Sequence, residues 1–214
     1  EDMEDCARKW VKIIREKENP DVLVGLFHAG PEGNKLDNVV ENGSGNVAKS
    51  VPGFDVVFMG HDHARRNEKV VNVEGDVLLI DPANMSKVVS EVTFTIKKQD
   101  GKVVSKQVEG KLVNMDGYAP DADFMNIFSG AYETTMDFVS RNIGRIEHTI
   151  SSKEAFFGPS AFVDLIHQLR LDIAGADISF CAPLSAYAEI KKGDICVSDM
   201  FNLYKYENLL YTMK

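Results

Sequence analysis

His28, His61 and His63 are the residues of this sequence whose type and spacing point to chemistry. Phe54-Asp55-Val56-Val57-Phe58-Met59 is a short apolar run with β-branched and aromatic residues, the pattern of a buried strand. It runs into Gly60, which lets the backbone turn sharply, and then into His61-Asp62-His63. In extended backbone, histidines two apart send both imidazoles to the same side. Two imidazoles at a strand end, beside a carboxylate, could bind a metal ion. A polar loop with two unrelated histidines is the plainer reading of His-x-His taken alone, because the pattern is short.

A second unit upstream changes the balance. Asp21-Val22-Leu23-Val24-Gly25-Leu26-Phe27 is another apolar strand, and it ends at His28-Ala29-Gly30. In an open α/β sheet the carboxyl edge is where ligands bind. Three of the five histidines therefore fall where one sheet edge gathers them.

The segments "GLFHAG" and "DVVFMGHDH" resemble the last two metal motifs of the calcineurin-like metallophosphoesterases. More narrowly, they are similar to those of the bacterial 5′-nucleotidase and 2′,3′-cyclic-nucleotide 2′-phosphodiesterase group, and the Gly-His-x-His form looks more like the cyclic phosphodiesterase branch. The resemblance implies two divalent cations (Zn, Mn or similar) in the full-length parent. Paired cations activate water and clamp the phosphoryl oxygens. His28 and His61 would serve one metal and His63 the other. Asp62 reads as a loop or supporting group, since the family varies there.

The resemblance is partial. The family's Asp-x-His, bridging Asp and Asn-His-Asp/Glu motifs do not occur here. The expectation is a fragment cut at both ends, with no catalytic residue of its own. Three imidazoles without a bridging carboxylate leave paired cations unneutralised.

Composition sets the outer bounds. The chain has 214 residues, 44% of them apolar, enough for one large domain or parts of two. A net charge of −9 argues against binding polymeric nucleic acid, but not against a small anion held through metals. Cys6, Cys181 and Cys196 lie far apart with no CxxC, and read as buried or free thiols with at most one disulfide. No apolar stretch is long enough to span a membrane, and no signal peptide is visible. A periplasmic or cell-surface location follows only from the resemblance. Oligomeric state stays open.

The elements that must position the histidines follow in chain order. Residues 2–18 read as an amphipathic helix with Cys6, Trp10, Ile13 and Ile14 at helical spacing. Residues 29–53 form a Gly- and Asn-rich crossover with a short helix expected around Leu36–Val40. After a charged segment, Arg65–Lys69, come short strands at Val70–Val73 and Val77–Ile80. Asp100-Gly101 is a hairpin signal between Val88–Ile96 and Val103–Val113.

A helix over about Asp121–Arg141, ended by Gly144, carries Phe124, Ile127, Phe128, Ala131, Thr135 and Phe138 on a stripe read as core. Beyond it, Arg145–Ile150 reads as a strand and Phe162–Ile173 as a helix closed by Gly175. Ile178–Cys181 reads as a buried strand, Asp199 as the cap of a short helix, and Leu209–Met213 as a last strand. His148 and His167 read as structural, His167 as a solvated side chain.

The fold class expected is α/β: the C-terminal part of a metallophosphoesterase β-sandwich with flanking helices, plus the first half of an α+β nucleotidase C-terminal domain. The divisions are 1–114, a linker and bridging helix at 115–144, and 145–214. The stretch from Gly175 to Lys214 resembles the start of that second domain. There Tyr206 would stack on a nucleobase and Asn208 would hydrogen-bond to it; a half-buried tyrosine near a helix end is the alternative. The family's Gly-Gly-x-Arg loop is replaced by Ala182-Pro183-Leu184-Ser185-Ala186-Tyr187. The implied activity is hydrolysis of nucleotide phosphoesters, with 2′,3′-cyclic nucleotides as the first choice. A 5′-nucleotidase, a UDP-sugar hydrolase or a non-catalytic nucleotide-binding fragment are the rivals.

Overall fold

The computed structural model of this chain describes residues 2–33, 35–36 and 39–213. It divides into two compact units, Glu1–Ala119 and Pro120–Lys214.

The first unit begins with α1 (Met3–Lys17). Asp2 caps it by accepting hydrogen bonds from the amides of Glu4 and Asp5, at 2.9 and 3.2 Å. Ala7 and Val11 are its buried residues; Trp10, on the predicted stripe, is half exposed. Next come β1 (Val24–Leu26), a small hairpin of β2 (Lys35–Leu36) and β3 (Val39–Val40), and α2 (Ser44–Ser50). The helix expected around Leu36–Val40 is therefore a strand pair, with residues 37 and 38 outside the described residues. Paired β-branched Val39 and Val40 favour that extended form, and the helix starts only after Asn42-Gly43.

β4 (Val56–Phe58), β5 (Arg65–Asn72) and β6 (Gly75–Pro82) complete a four-stranded sheet in the order β1-β4-β6-β5. β1 and β6 both pair with β4 in parallel, and β5 runs antiparallel to β6. The charged segment Arg65–Lys69 belongs to β5, an edge strand exposed at Arg65, Asn67, Glu68 and Lys69.

Helices cover one face of this sheet, where Val47 and Ala48 of α2 and Val51 just after it are fully buried. On the other face lies a long hairpin of β7 (Val88–Gln99) and β8 (Lys102–Asn114), closed by Asp100 and Gly101, both at positive φ (51° and 75°). That is the geometry an Asp-Gly hairpin turn requires. Val92, Phe94, Val108 and Leu112 of the hairpin pack on Val56, Leu78 and Ile80 of the sheet. Lys106 ties the layers together through an ion pair to Asp55 (2.5 Å) and a hydrogen bond to the Asp21 carbonyl (2.8 Å).

The second unit opens with α3 (Ala122–Val139), capped by Asp121, whose carboxylate accepts from the Phe124 amide at 2.8 Å. The stripe read as core is not core: Phe124 is 58% and Ile127 75% exposed, and no residue of α3 is buried. An apolar stripe marks a face that gains by burial, but burial needs a covering surface. The helix stops at Ser140, ahead of Gly144, which lies in β9 (Asn142–Ile146).

β9 pairs antiparallel with β12 (Gly193–Cys196), and β10 (Ile150–Ser151) with β11 (Glu189–Ile190). α4 (Ala161–Ala174) ends at Gly175 in the left-handed conformation. Phe162 of α4, Ile190 of β11 and Leu203 of α5 (Val197–Leu203) form the buried centre. Asp199 supports α5 from its third position, accepting from the Cys196 amide at 2.7 Å, rather than as the cap itself.

Two predicted strands do not form. Ile178–Cys181 and Leu209–Met213 are irregular, and Ile178, Phe180 and Leu209 are more than two-thirds exposed. A strand needs a ladder partner, and among the described residues neither segment has one.

Candidate functional site

Because β1, β4 and β6 are mutually parallel, their carboxyl ends open on one sheet edge. Three short segments follow them there. Phe27 still pairs to Phe58 through its amide (3.0 Å), and the chain then turns through His28-Ala29-Gly30. Asn42 accepts a hydrogen bond from the Gly30 amide, and Ser44, at the start of α2, donates its hydroxyl to the Ala29 carbonyl at 2.8 Å. Those bonds fix the loop that carries His28.

His61 meets His28 here. Their rings stand edge to face with centroids 5.3 Å apart. Gly60 lies beside the His28 ring, where a β-carbon would make ordinary contact at 3.4 Å from Nδ1.

His63 is placed differently. His61 and His63 both have positive φ (80° and 56°), so the loop is not extended and the two rings do not project as a strand pair would. His63 Nδ1 lies 3.3 Å from Nδ2 of Asn84, in the loop after β6. Among the described residues no group of three or more His, Cys, Asp or Glu side chains is close enough together to hold a metal ion. The donor set therefore does not amount to a two-cation centre: two imidazoles touch, and no carboxylate joins them.

The carboxyl edge also holds charge that the histidine pattern does not reveal. Asp81, the residue after Ile80 of β6, is fully buried. Its Oδ1 accepts from the Ala83 amide at 2.8 Å, while Oδ2 has no donor among the described residues. Burial pushes its carboxyl above the usual range, and the charge of the neighbouring Asp62 carboxylate acts in the same direction. Arg66 offsets this from the Asp62 side, 3.8 Å from its carboxylate.

Ala83, Met85 and Ser86 in the next loop are also left-handed, at φ 66°, 66° and 53°. Non-glycine residues in that region cost free energy and collect at functional edges. The signal for Asp81 is available in the sequence: a polar residue stands immediately after the buried run Val77–Ile80, as His61 does after its own strand and Gly60.

In the second unit Tyr206 is 56% exposed and meets Tyr204 edge to face, with centroids 6.2 Å apart and the Lys205 ammonium 5.2 Å from its ring. Asn208 donates its amide to the Tyr204 hydroxyl. Asn208 and Tyr204 line a cleft of about 340 Å³ with Ile166, Arg170 and Leu210 of the same unit. Tyr206 lies outside that lining.

Residues 142–214 match the family described as 5′-nucleotidase, C-terminal domain. That match lies within the second unit, Pro120–Lys214.

The whole chain aligns with a 2′,3′-cyclic-nucleotide 2′-phosphodiesterase/3′-nucleotidase of Yersinia enterocolitica at 23% identity, covering 100% of this chain and 38% of the relative. It aligns likewise with the trifunctional nucleotide phosphoesterase YfkN of Bacillus subtilis at 20% identity, covering 17% of that protein. The chain therefore spans well under half the length of these curated relatives.

Among solved structures, a 5′-nucleotidase described as putative from Staphylococcus aureus superposes with a TM-score of 0.70 at 16% identity, over 96% of this chain and 40% of that one. A 5′-nucleotidase precursor from Thermus thermophilus superposes at 0.58 and 21% identity, over 95% and 42%. At these identities the superpositions establish the fold: a mixed α/β architecture shared with 5′-nucleotidases.

Proposed function

We propose that this chain is part of a metal-dependent nucleotide phosphoesterase, with 2′,3′-cyclic-nucleotide 2′-phosphodiesterase/3′-nucleotidase as its activity. The observation that carries the reading is the meeting of His28 and His61 at the carboxyl edge of a parallel sheet. The alignment of the full chain to enzymes of that name supports the same reading.

His28 and His61 would hold one divalent cation through their imidazole nitrogens and His63 a second, with further ligands needed beyond the described residues. Such cations, when bound, supply Lewis acidity to a phosphate oxygen and an acidified water. The residues of this chain hold the ligand nitrogens in place: Asn42 and Ser44 brace the His28 loop, Asn84 braces His63, and the Asp62–Arg66 pair braces the turn between. Tyr206 offers an exposed ring for a nucleobase and Asn208 an amide beside it, so the substrate is a small nucleotide and not a polymer. A periplasmic or surface location goes with the family. None of the described helices is long and apolar enough to cross a membrane.

The test pairs binding with turnover. Mn²⁺ or Zn²⁺ is titrated calorimetrically into the 214-residue chain and into His61→Ala, and both are assayed with 2′,3′-cyclic AMP and AMP. Weak metal binding that His61→Ala abolishes, with little turnover from the chain alone, is the expected result. Metal binding unchanged in His61→Ala sinks the ligand assignment. Metal-dependent turnover by the chain that vanishes in the variant overturns the view that donors are missing.

A further inference from the structure

Five non-glycine residues at the carboxyl edge stand in the left-handed region: His61 and His63 in one loop, Ala83, Met85 and Ser86 in the other. Such residues persist only where their surroundings hold them. The two loops leave adjacent parallel strands, β4 and β6, which are still joined at their ends by the Met59 amide and the Ile80 carbonyl (2.9 Å). Beyond that bond they meet at Asn84 and His63, whose Nδ2 and Nδ1 lie 3.3 Å apart.

Each loop has its own anchor. In the first, Asp62 accepts from the Ala64 amide (3.3 Å) and faces the Arg66 guanidinium (3.8 Å). In the second, Asp81 Oδ1 accepts from the Ala83 amide at 2.8 Å, one residue before Asn84. Arg66 and Asp81 stand directly opposite each other in the β5–β6 ladder, so both anchors rise from one rung on the same face of the sheet.

Asp81 is an unfavourable residue for its place. It is fully buried, and Oδ2 has no donor among the described residues. An apolar residue would continue the run Val77–Ile80 without burying that oxygen. A buried polar group left partly unpaired calls for a reason, and the bond to Ala83 supplies one.

We infer that Asp81 is a positioning residue for His63: by fixing the Ala83 amide it holds Asn84 against the His63 ring. That this orientation serves a cation rests on the proposed function; the orientation itself belongs to the metal-free chain.

What position 81 must offer is an acceptor. Asp81→Asn keeps one in its amide oxygen. Asp81→Val offers none, and removes the unpaired oxygen from the interior. A residue that only supports the fold loses stability on that change. A positioning residue gives a different split: stability is kept and the His63 ring is released.

The experiment uses the intact 214-residue chain without metal. NMR follows the His63 imidazole resonances, assigned with His63→Gln, and the nuclear Overhauser contact between the Asn84 side-chain amide and that ring. Urea melts run alongside. Asp81→Asn is expected to keep the wild-type shifts and contact. Asp81→Val should lose the contact and move the ring shifts, while its unfolding midpoint does not fall. Asn84→Ala, an exposed change that spares the strand, should move the ring shifts in the same direction.

Wild-type shifts and contact in Asp81→Val overturn the inference, and so do unmoved shifts in Asn84→Ala. Loss of the contact in Asp81→Asn overturns it too, since an acceptor would then not be what holds Asn84. If Asp81→Val does not fold, Asp81→Ala, without the added methyls, replaces it. A midpoint that falls together with the contact, or failure of both variants to fold, marks Asp81 as structural and overturns the inference. Calorimetric titration with Mn²⁺ is a separate readout: Asp81→Val should bind about tenfold more weakly than wild type, the scale on which removing support from a ligand acts. A wild-type chain that binds no Mn²⁺ counts against the proposed function, and the metal-free signals then decide the inference alone.

Discussion

The His28 and His61 rings meet edge to face across two parallel strands, and Gly60 lies directly beside the His28 ring. A β-carbon there would come to 3.4 Å of Nδ1, ordinary contact, so Gly60→Ala should be tolerated. The added methyls of Gly60→Val would push the His28 ring away. We expect Gly60→Val to weaken Mn²⁺ binding about tenfold, or roughly 1.4 kcal/mol, with the unfolding midpoint little changed. Calorimetric titration of both variants against wild type checks this.

Asp81 gives a pH prediction with a definite sign. Its folded-state carboxyl is raised by burial and by the neighbouring Asp62 carboxylate. The folded chain therefore holds this proton at pH values where the unfolded chain has released it. The contribution of Asp81 is most favourable below the ordinary aspartate range and is lost as pH rises through the raised value. Asp81→Asn keeps an acceptor for the Ala83 amide and adds a donor toward Asp62. It should raise stability at neutral pH by about 1 kcal/mol. Urea melts at pH 4 to 8 should show the wild type losing more stability than the variant as pH rises.

Asn72 is buried at the end of β5 and donates to the carbonyls of Ala48 (2.7 Å) and Val51 (3.0 Å) at the end of α2. Asn72→Ala strands both carbonyls away from water. A loss of about 2–3 kcal/mol is expected, because unsatisfied buried groups cost more than the bond contributes. Chemical denaturation measures it directly.

Gly110 is where β8 crosses the sheet. A β-carbon there would lie 2.6 Å from Asn67 Oδ1 and 2.9 Å from Leu78 Cδ2. Gly110→Val should cost at least about 1–3 kcal/mol through overpacking. Gly117→Val, at a position with nothing nearby, serves as the matched control. Equal melting temperatures for the two would contradict the close approach.

Much of this was readable from residue patterns, and the rest fails for identifiable reasons. The strand-then-histidine units, the Asp-Gly turn, the Asp121 and Gly175 helix ends and the α4 stripe all depend on local chemistry. What the pattern misjudged depends on partners. The α3 stripe, Ile178–Cys181 and Leu209–Met213 are apolar segments whose large side chains stay mostly exposed among the described residues. The two-residue spacing of His61 and His63 assumed extended backbone, and two left-handed residues replaced it. Asp81 and Asn84 were hidden because distant segments meet there, and so was His167, read as solvated but set against Ser179 and Cys181.

The hairpin of β7 and β8 has a consequence for how the chain acquires its shape. Its strands are joined by a two-residue turn, so it closes locally, on the order of 1–10 μs for hairpins in general. The parallel pairings of Val24 with Val56 and of Val56 with Leu78 must bridge long crossovers and come later. Until they do, Val92, Phe94, Val108 and Leu112 form a formed but uncovered apolar ribbon. That interval is when the nascent chain is most exposed to self-association, and slow synthesis at low temperature should raise its soluble yield.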